Sequence, residues 1–163
     1  MKLAITALGI LLTALGYGAA DAYAPLHLYA GSWRVTRSDM PQGAKPDDLT
    51  NQCTLIGKYF VCQQTVNGAV TSLMIFVPAD QPGHYYTQNV NTQGRALGRG
   101  DLEIFGDRWA FSSSWDQGGG KMTFYRTTNT FSGRDHIHFE QQESTNRKDW
   151  VTKSSGDESR VGR

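Results

Sequence analysis

Beyond residue 30 the chain alternates apolar and polar residues in short runs, and turn-forming residues interrupt it about every eight to twelve positions. A period of two marks half-buried strands, since successive side chains of a strand point to opposite faces. The runs are SWRVTR, then QCTLI and YFVCQQTV, then AVTSLMIFVPA, HYYTQNV, DLEIF, RWAFSSSWD, MTFYRTTNTF, HIHFEQQES and WVTKSS, the last leading into a polar tail. Asn67-Gly68, Gly106-Asp107 and the Gly-rich QGGGK stretch separate neighbouring runs by loops short enough for antiparallel pairing. Helical periodicity is nearly absent, and only APLHLYAG, ahead of the first run, has room for a single helical turn. A meander of this many short strands leaves exposed edges unless it closes on itself. The pattern therefore predicts an all-β protein, an antiparallel up-and-down β-barrel of about 8–10 strands.

The two cysteines, Cys53 and Cys62, flank Gly57-Lys58. With those two residues as a hairpin loop, a type II′ candidate because Gly stands first, Ile56 faces Tyr59, Leu55 faces Phe60 and Cys53 faces Cys62. The cysteines then form a non-hydrogen-bonded pair with α-carbons about 4.5 Å apart, within the reach of a disulfide. Free buried thiols and a metal site are the alternatives. A metal site needs further ligands and commonly a tighter Cys spacing.

The N-terminus supplies the compartment in which such a bridge persists. Lys2, an apolar run from Leu3 to Leu15 and an Ala20-Asp21-Ala22 site have the form of a secretory signal peptide, so residues 1–22 are expected to be removed and residues 23–163 to form a single barrel domain. An uncleaved anchor is the rival reading, but the apolar run is short for a membrane span. The expected locale is the bacterial periplasm or the outside of the cell. A net charge of +1 without any run of like charge gives no reason to expect nucleic acid or a membrane surface as partner.

Gly31-Ser32-Trp33 opens the first strand. A G-x-W at the head of an exported antiparallel meander resembles the calycin group, the lipocalins and the bacterial lipocalin-like domains of unknown function. IGKYF resembles the L-G-G-R-F turn of the bacterial domains, and STNRKDWV is similar to their turn before the last strand. The resemblance spans essentially the whole mature chain. It implies that Gly31 and Trp33 are structural, with Trp33 at a closed end of the barrel and a basic side chain packed across it, Lys153 and Arg160 being the candidates. No helix pattern follows the last strand as in true lipocalins.

The chemistry is less marked. Strand RWAFSSSW places Trp109, Phe111, Ser113 and Trp115 on one face, and with Tyr86 nearby these aromatics are candidates to line a pocket for a small hydrophobic or aromatic molecule. Plain core packing is the competing reading of the same residues. His136, His138 and Glu140 share a face, which raises metal binding, haem ligation or acid–base catalysis, with His84 or Asp135 as a further ligand; a polar outer wall behind Ile137 and Phe139 accounts for the same pattern. Gly118-Gly119-Gly120-Lys121 lacks P-loop context, Arg99-Gly100-Asp101 is assigned to a turn, and SSSW lacks the surroundings of a serine nucleophile. No cofactor, metal or catalytic residue is nominated. The expected function is binding of a small, partly apolar ligand inside the barrel. The rival is an envelope accessory or protein-interaction module whose barrel is filled by its own side chains.

Overall fold

The computed structural model describes residues 21–162, so the expected signal peptide lies almost entirely outside the described residues. A short 3-10 turn, Ala24–Leu28, precedes ten strands: β1 (Gly31–Arg37), β2 (Asp47–Ile56), β3 (Tyr59–Val66), β4 (Ala69–Pro78), β5 (His84–Asn91), β6 (Ala96–Phe105), β7 (Arg108–Asp116), β8 (Met122–Ser132), β9 (His136–Ser144) and β10 (Val151–Arg160). Each strand pairs antiparallel with its neighbours in sequence, and β10 returns to pair with β1, closing the barrel. Closure leaves no sheet edge among these strands, which is the physical reason a meander of this length favours a barrel. No helix among the described residues is long and apolar enough to cross a membrane.

Turn chemistry sets the register. Asn67 and Gly68 both take positive φ, 51° and 81°, the requirement of a type I′ turn, and Gly57 takes φ 61° as the first residue of its loop. Hence Ile56 pairs with Tyr59, Leu55 with Phe60, Thr54 with Val61 and Cys53 with Cys62. The sulfurs are bonded, with α-carbons 4.0 Å apart. Cys62 is buried in the barrel core, so the bridge braces the interior wall. Reduction, or the double substitution of Cys53 and Cys62 by Ser, is expected to cost about 2–3 kcal/mol in the chain-entropy account of so short a loop. Urea unfolding with and without reductant measures it; coincident curves would contradict a stabilising bridge.

Two sequence readings are corrected. The polar tail after WVTKSS is not a tail: Gly156 to Arg160 continue β10 and complete the barrel against β1. Likewise Arg99-Gly100-Asp101 is not a turn but lies within β6. In both segments polar and glycine residues hide strand structure because hydrogen bonding from two neighbours, rather than apolar alternation, holds them extended.

The apolar side chains concentrate at one end. Leu26 of the 3-10 turn is completely buried there among Trp33, Phe60, Phe76, Tyr85, Leu102 and Trp109. Tyr23 stacks on Phe60 with ring centroids 5.5 Å apart, and its hydroxyl donates to the Lys58 carbonyl at 2.6 Å. Tyr85 stacks on Tyr23 with ring centroids 6.4 Å apart. The segment before β1 is thus a plug, apolar where it meets the barrel and hydrogen-bonded where its backbone is taken from water.

The G-x-W residues and β10 lock this plug in place. Trp33 is 1% exposed, and the Arg160 guanidinium lies 4.0 Å above its ring. Arg160 also donates from Nη1 to Ala30 O at 2.8 Å and from Nη2 to Leu28 O at 2.7 Å, satisfying carbonyls left free where the 3-10 turn ends. Gly31 has φ 127°, and a Cβ there would stand 2.5 Å from Arg160 Nη1. The positive φ favours glycine, and a larger residue would also displace the Arg160 guanidinium. Of the two basic candidates it is Arg160 that crosses Trp33, while Lys153 pairs with Glu143 on a largely exposed surface.

Candidate functional site

Above the plugged end the barrel is not filled. A cavity of about 510 Å³ runs along its interior toward the loops that follow β1, β3 and β5, within the size range of small-molecule sites. Its wall is mixed. Leu49, Val66, Met74, Leu97, Phe111 and Phe139 supply apolar surface, and Gln64, Thr87, Asn89, Thr127, Gln141 and Glu158 supply polar groups. Alternation explains both sets, since each lies on the inward parity of its strand, except Leu97, which sits on the other parity of β6 where the β5–β6 register shifts. Thr127 pairs with Phe111 and Gln141, Phe139 with Asn129, and Glu158 with Val35. Gly98 and Gly100 also line it, so the β6 side of the cavity has no side chain at those two positions. At Gly100 this is required, since a Cβ would stand 2.5 Å from Ser112 O.

Tyr29 forms the floor. It leaves the 3-10 turn at its C-cap, and its ring sits 6.2 Å from both Trp109 and Phe111. Its hydroxyl stands beside the Asn51 and Gln64 amides; burial, reinforced by the Glu158 charge, pushes the phenol above its ordinary range, so it remains a neutral donor. Gln64 Nε2 donates to Asn51 Oδ1 at 3.2 Å, which fixes the two amides with respect to each other.

Glu158 is the most unusual wall residue. Its Oε2 is buried without a hydrogen-bond partner, and burial raises the carboxyl to about 7. Asn89 Oδ1, on β5, is likewise buried without a partner. Arg37 and Asp47 also line the cavity where β1 ends and β2 begins, but they pair with each other at 3.5 Å, and Arg37 additionally meets Asp39 at 3.4 Å.

The structure distributes the four aromatic candidates among different settings. Phe111 lines the cavity and Trp109 is buried beneath it, 2% exposed and packed on Phe131 at 4.7 Å. Trp115 shares their parity but lies at the far end of β7, where it is 49% exposed and not part of the cavity wall. Tyr86 is on the outer wall, 59% exposed, over a separate shallow groove that includes His84 and Glu103. Tyr85, its neighbour, points inward to pair across the barrel wall with Leu102.

The histidine face is on the outside of the barrel. His138 Nδ1 lies 2.9 Å from Asp157 Oδ1 and His136 Nδ1 lies 3.2 Å from Ser159 Oγ, all on the exposed surface of β9 and β10. Glu140 accepts hydrogen bonds from Gln142 and Thr152. His84 is near Glu103, and Asp135 pairs with Arg160. Among the described residues no group of three or more His, Cys, Asp or Glu side chains is arranged to hold a metal. These groups do not converge on the cavity.

Gln64, Asn89 and Glu158 are site residues that the apolar pattern passes over. The available signal for Glu158 was alternation continued past WVTKSS, since Ser154, Gly156, Glu158 and Arg160 share one face of β10.

Comparison with known proteins is consistent with the architecture. No family model matches the chain, and no curated protein matches it. Among solved structures, the chain is similar to one described as the crystal structure of Rv2717c from M. tuberculosis, with a TM-score of 0.54 over 89% of this chain and 100% of that one, at 13% sequence identity. At that identity the likeness concerns the fold: a closed antiparallel barrel.

Proposed function

We propose that this protein is an exported, calycin-like barrel that binds a small, partly apolar molecule in its interior. One observation carries the reading: the 510 Å³ cavity with a mixed apolar and polar wall above a rigid aromatic floor. A barrel serving only as a scaffold gains stability by filling its interior, because each buried void forfeits dispersion contacts. Here Gly98, Gly100, Ser113 and Thr127 hold the wall back from the centre. The wall carries more hydrogen-bonding groups than a dry core tolerates, which suits a ligand with both a ring or alkyl part and polar substituents.

The calycin assignment is supported by the Trp33 to Arg160 packing at the plugged end, the arrangement that the G-x-W resemblance implies. Export is supported by the Lys2-led apolar run with its small-residue site and by a formed disulfide, a bond that persists in oxidising compartments.

Native mass spectrometry of the protein purified without reductant tests the reading. The expected result is a chain two hydrogens lighter than the reduced form, carrying additional mass that is lost on denaturation. A bare chain that also fails to take up any small molecule offered to it would replace this reading with that of an interaction module.

A further inference from the structure

Among the described residues, the two buried side-chain polar atoms without a protein partner, Asn89 Oδ1 and Glu158 Oε2, both belong to residues of the cavity wall. Both are hydrogen-bond acceptors, and they stand on β5 and β10, opposite sides of the barrel ring. The group that complements each of them is a donor.

Charge narrows the class. Three charged side chains line the cavity, and two of them, Arg37 and Asp47, are already paired. Glu158 forms no ion pair with any basic side chain of the described residues. Its strand partners Val35 and Ile137 are apolar, and Arg160, two positions along β10, is engaged with Trp33, Asp135 and the plug carbonyls. The remaining titratable group facing it is the Tyr29 phenol. A buried carboxylate without a cation is unfavourable, and a bound cation relieves what a neutral or anionic molecule does not.

Resting on the reading of the cavity as a ligand site, we propose that its ligand class is a small amine, with an aromatic or alkyl body against the apolar wall and a protonated nitrogen donating to Glu158. Asn89 Oδ1 accepts from a second donor on the ligand where one is present. The carboxyl, raised to about 7 by burial, makes the preference depend on pH: the amine is held by a carboxylate at pH 8 and meets a protonated acid at pH 5.

Displacement of the neutral fluorophore N-phenyl-1-naphthylamine by three indoles of similar size reads this out. Tryptamine is cationic across this pH range, 3-propylindole is neutral and indole-3-propionate is fully anionic at pH 8. Tryptamine is expected to bind about tenfold or more tightly than 3-propylindole at pH 8, with the difference falling below about threefold at pH 5 and indole-3-propionate weakest at pH 8. Glu158→Gln is expected to bring the tryptamine preference over 3-propylindole at pH 8 below about threefold. The wild-type pH series tests the same point without any substitution. Fluorophore binding with equal affinity for the three indoles, or with the acid preferred, overturns the amine assignment and leaves the cavity reading standing. Absence of binding by the fluorophore and by every indole overturns both.

Discussion

Trp33→Ala is expected to destabilise the oxidised protein by about 3–5 kcal/mol, the range for removing a buried Trp or Phe side chain from a packed core. The expectation rests on position. Trp33 is 1% exposed, its indole nitrogen donates to the Tyr29 carbonyl at 3.3 Å, and the Arg160 guanidinium caps its ring. Removing the ring opens a void where β1, β10 and the plug meet, and takes from Arg160 the aromatic surface against which it packs. Urea unfolding followed by circular dichroism measures the loss. Trp115→Ala is the control, since that ring is half exposed and away from the plug, and its change should stay within about 0.5 kcal/mol. Equal effects of the two substitutions would contradict the assignment of Trp33 as the keystone of the closed end.

The second large effect depends on pH. Glu158 titrates near 7 in the folded protein against 4.5 for an unperturbed carboxyl. A folded value above the unfolded one means that the native state holds its proton more tightly, so folding is penalised once the unfolded chain ionises. No penalty exists below about pH 4; it grows between roughly 4.5 and 7 and is complete above 7. The separation corresponds to about 3 kcal/mol at pH 8. Glu158→Gln removes the ionisation and keeps the shape. It is therefore expected to match the wild type at pH 4 and to exceed it by about 3 kcal/mol at pH 8. Arg37, Asp47, Tyr29 and Arg160, the other charged or titratable groups around the site, are common to both proteins. Thermal melts of both proteins from pH 4 to 9 decide it, and a difference that does not change with pH would contradict a raised carboxyl. The excess of stability and the loss of amine preference in the same substitution are what a functional site held at a cost to the fold should show.

The fold was legible where local chemistry and alternation agree. Gly57-Lys58 and Asn67-Gly68 specify their turns, and from the first of these the Cys53 to Cys62 register follows by counting. Strand β7 was equally readable, with Trp109, Phe111 and Ser113 on the inward face. Strand β10 was not, because its interior face consists of Ser154, Gly156, Glu158 and Arg160, and periodicity reads polarity as outward orientation. A barrel with a partly polar cavity wall breaks that equation. Only the pairing of Glu158 with Val35 and of Arg160 with Trp33 reveals which way the strand faces.

The same limit governs the site. Tyr85 and Tyr86 are adjacent, so one faces in and the other out, and nothing in HYYTQNV decides between them; the pairing of Tyr85 with Leu102 does. Trp115 has the parity of the cavity wall, yet sits one pair too far along β7 to reach it. The acceptors Asn89 and Glu158 lie on strands that are distant in sequence and opposite in the ring, a relation that only closure of the barrel creates.

The central claim is that the barrel interior receives a ligand. It is tested most directly by titrating the protein with N-phenyl-1-naphthylamine beside Thr127→Trp, a substitution that projects an indole into the cavity from the middle of β8. The variant's fold is checked by its circular dichroism and melting curve. The expected result is saturable fluorescence enhancement at one probe per chain in the wild type, abolished in the folded variant. Enhancement that persists undiminished in Thr127→Trp, or its absence from the wild type, would contradict the claim.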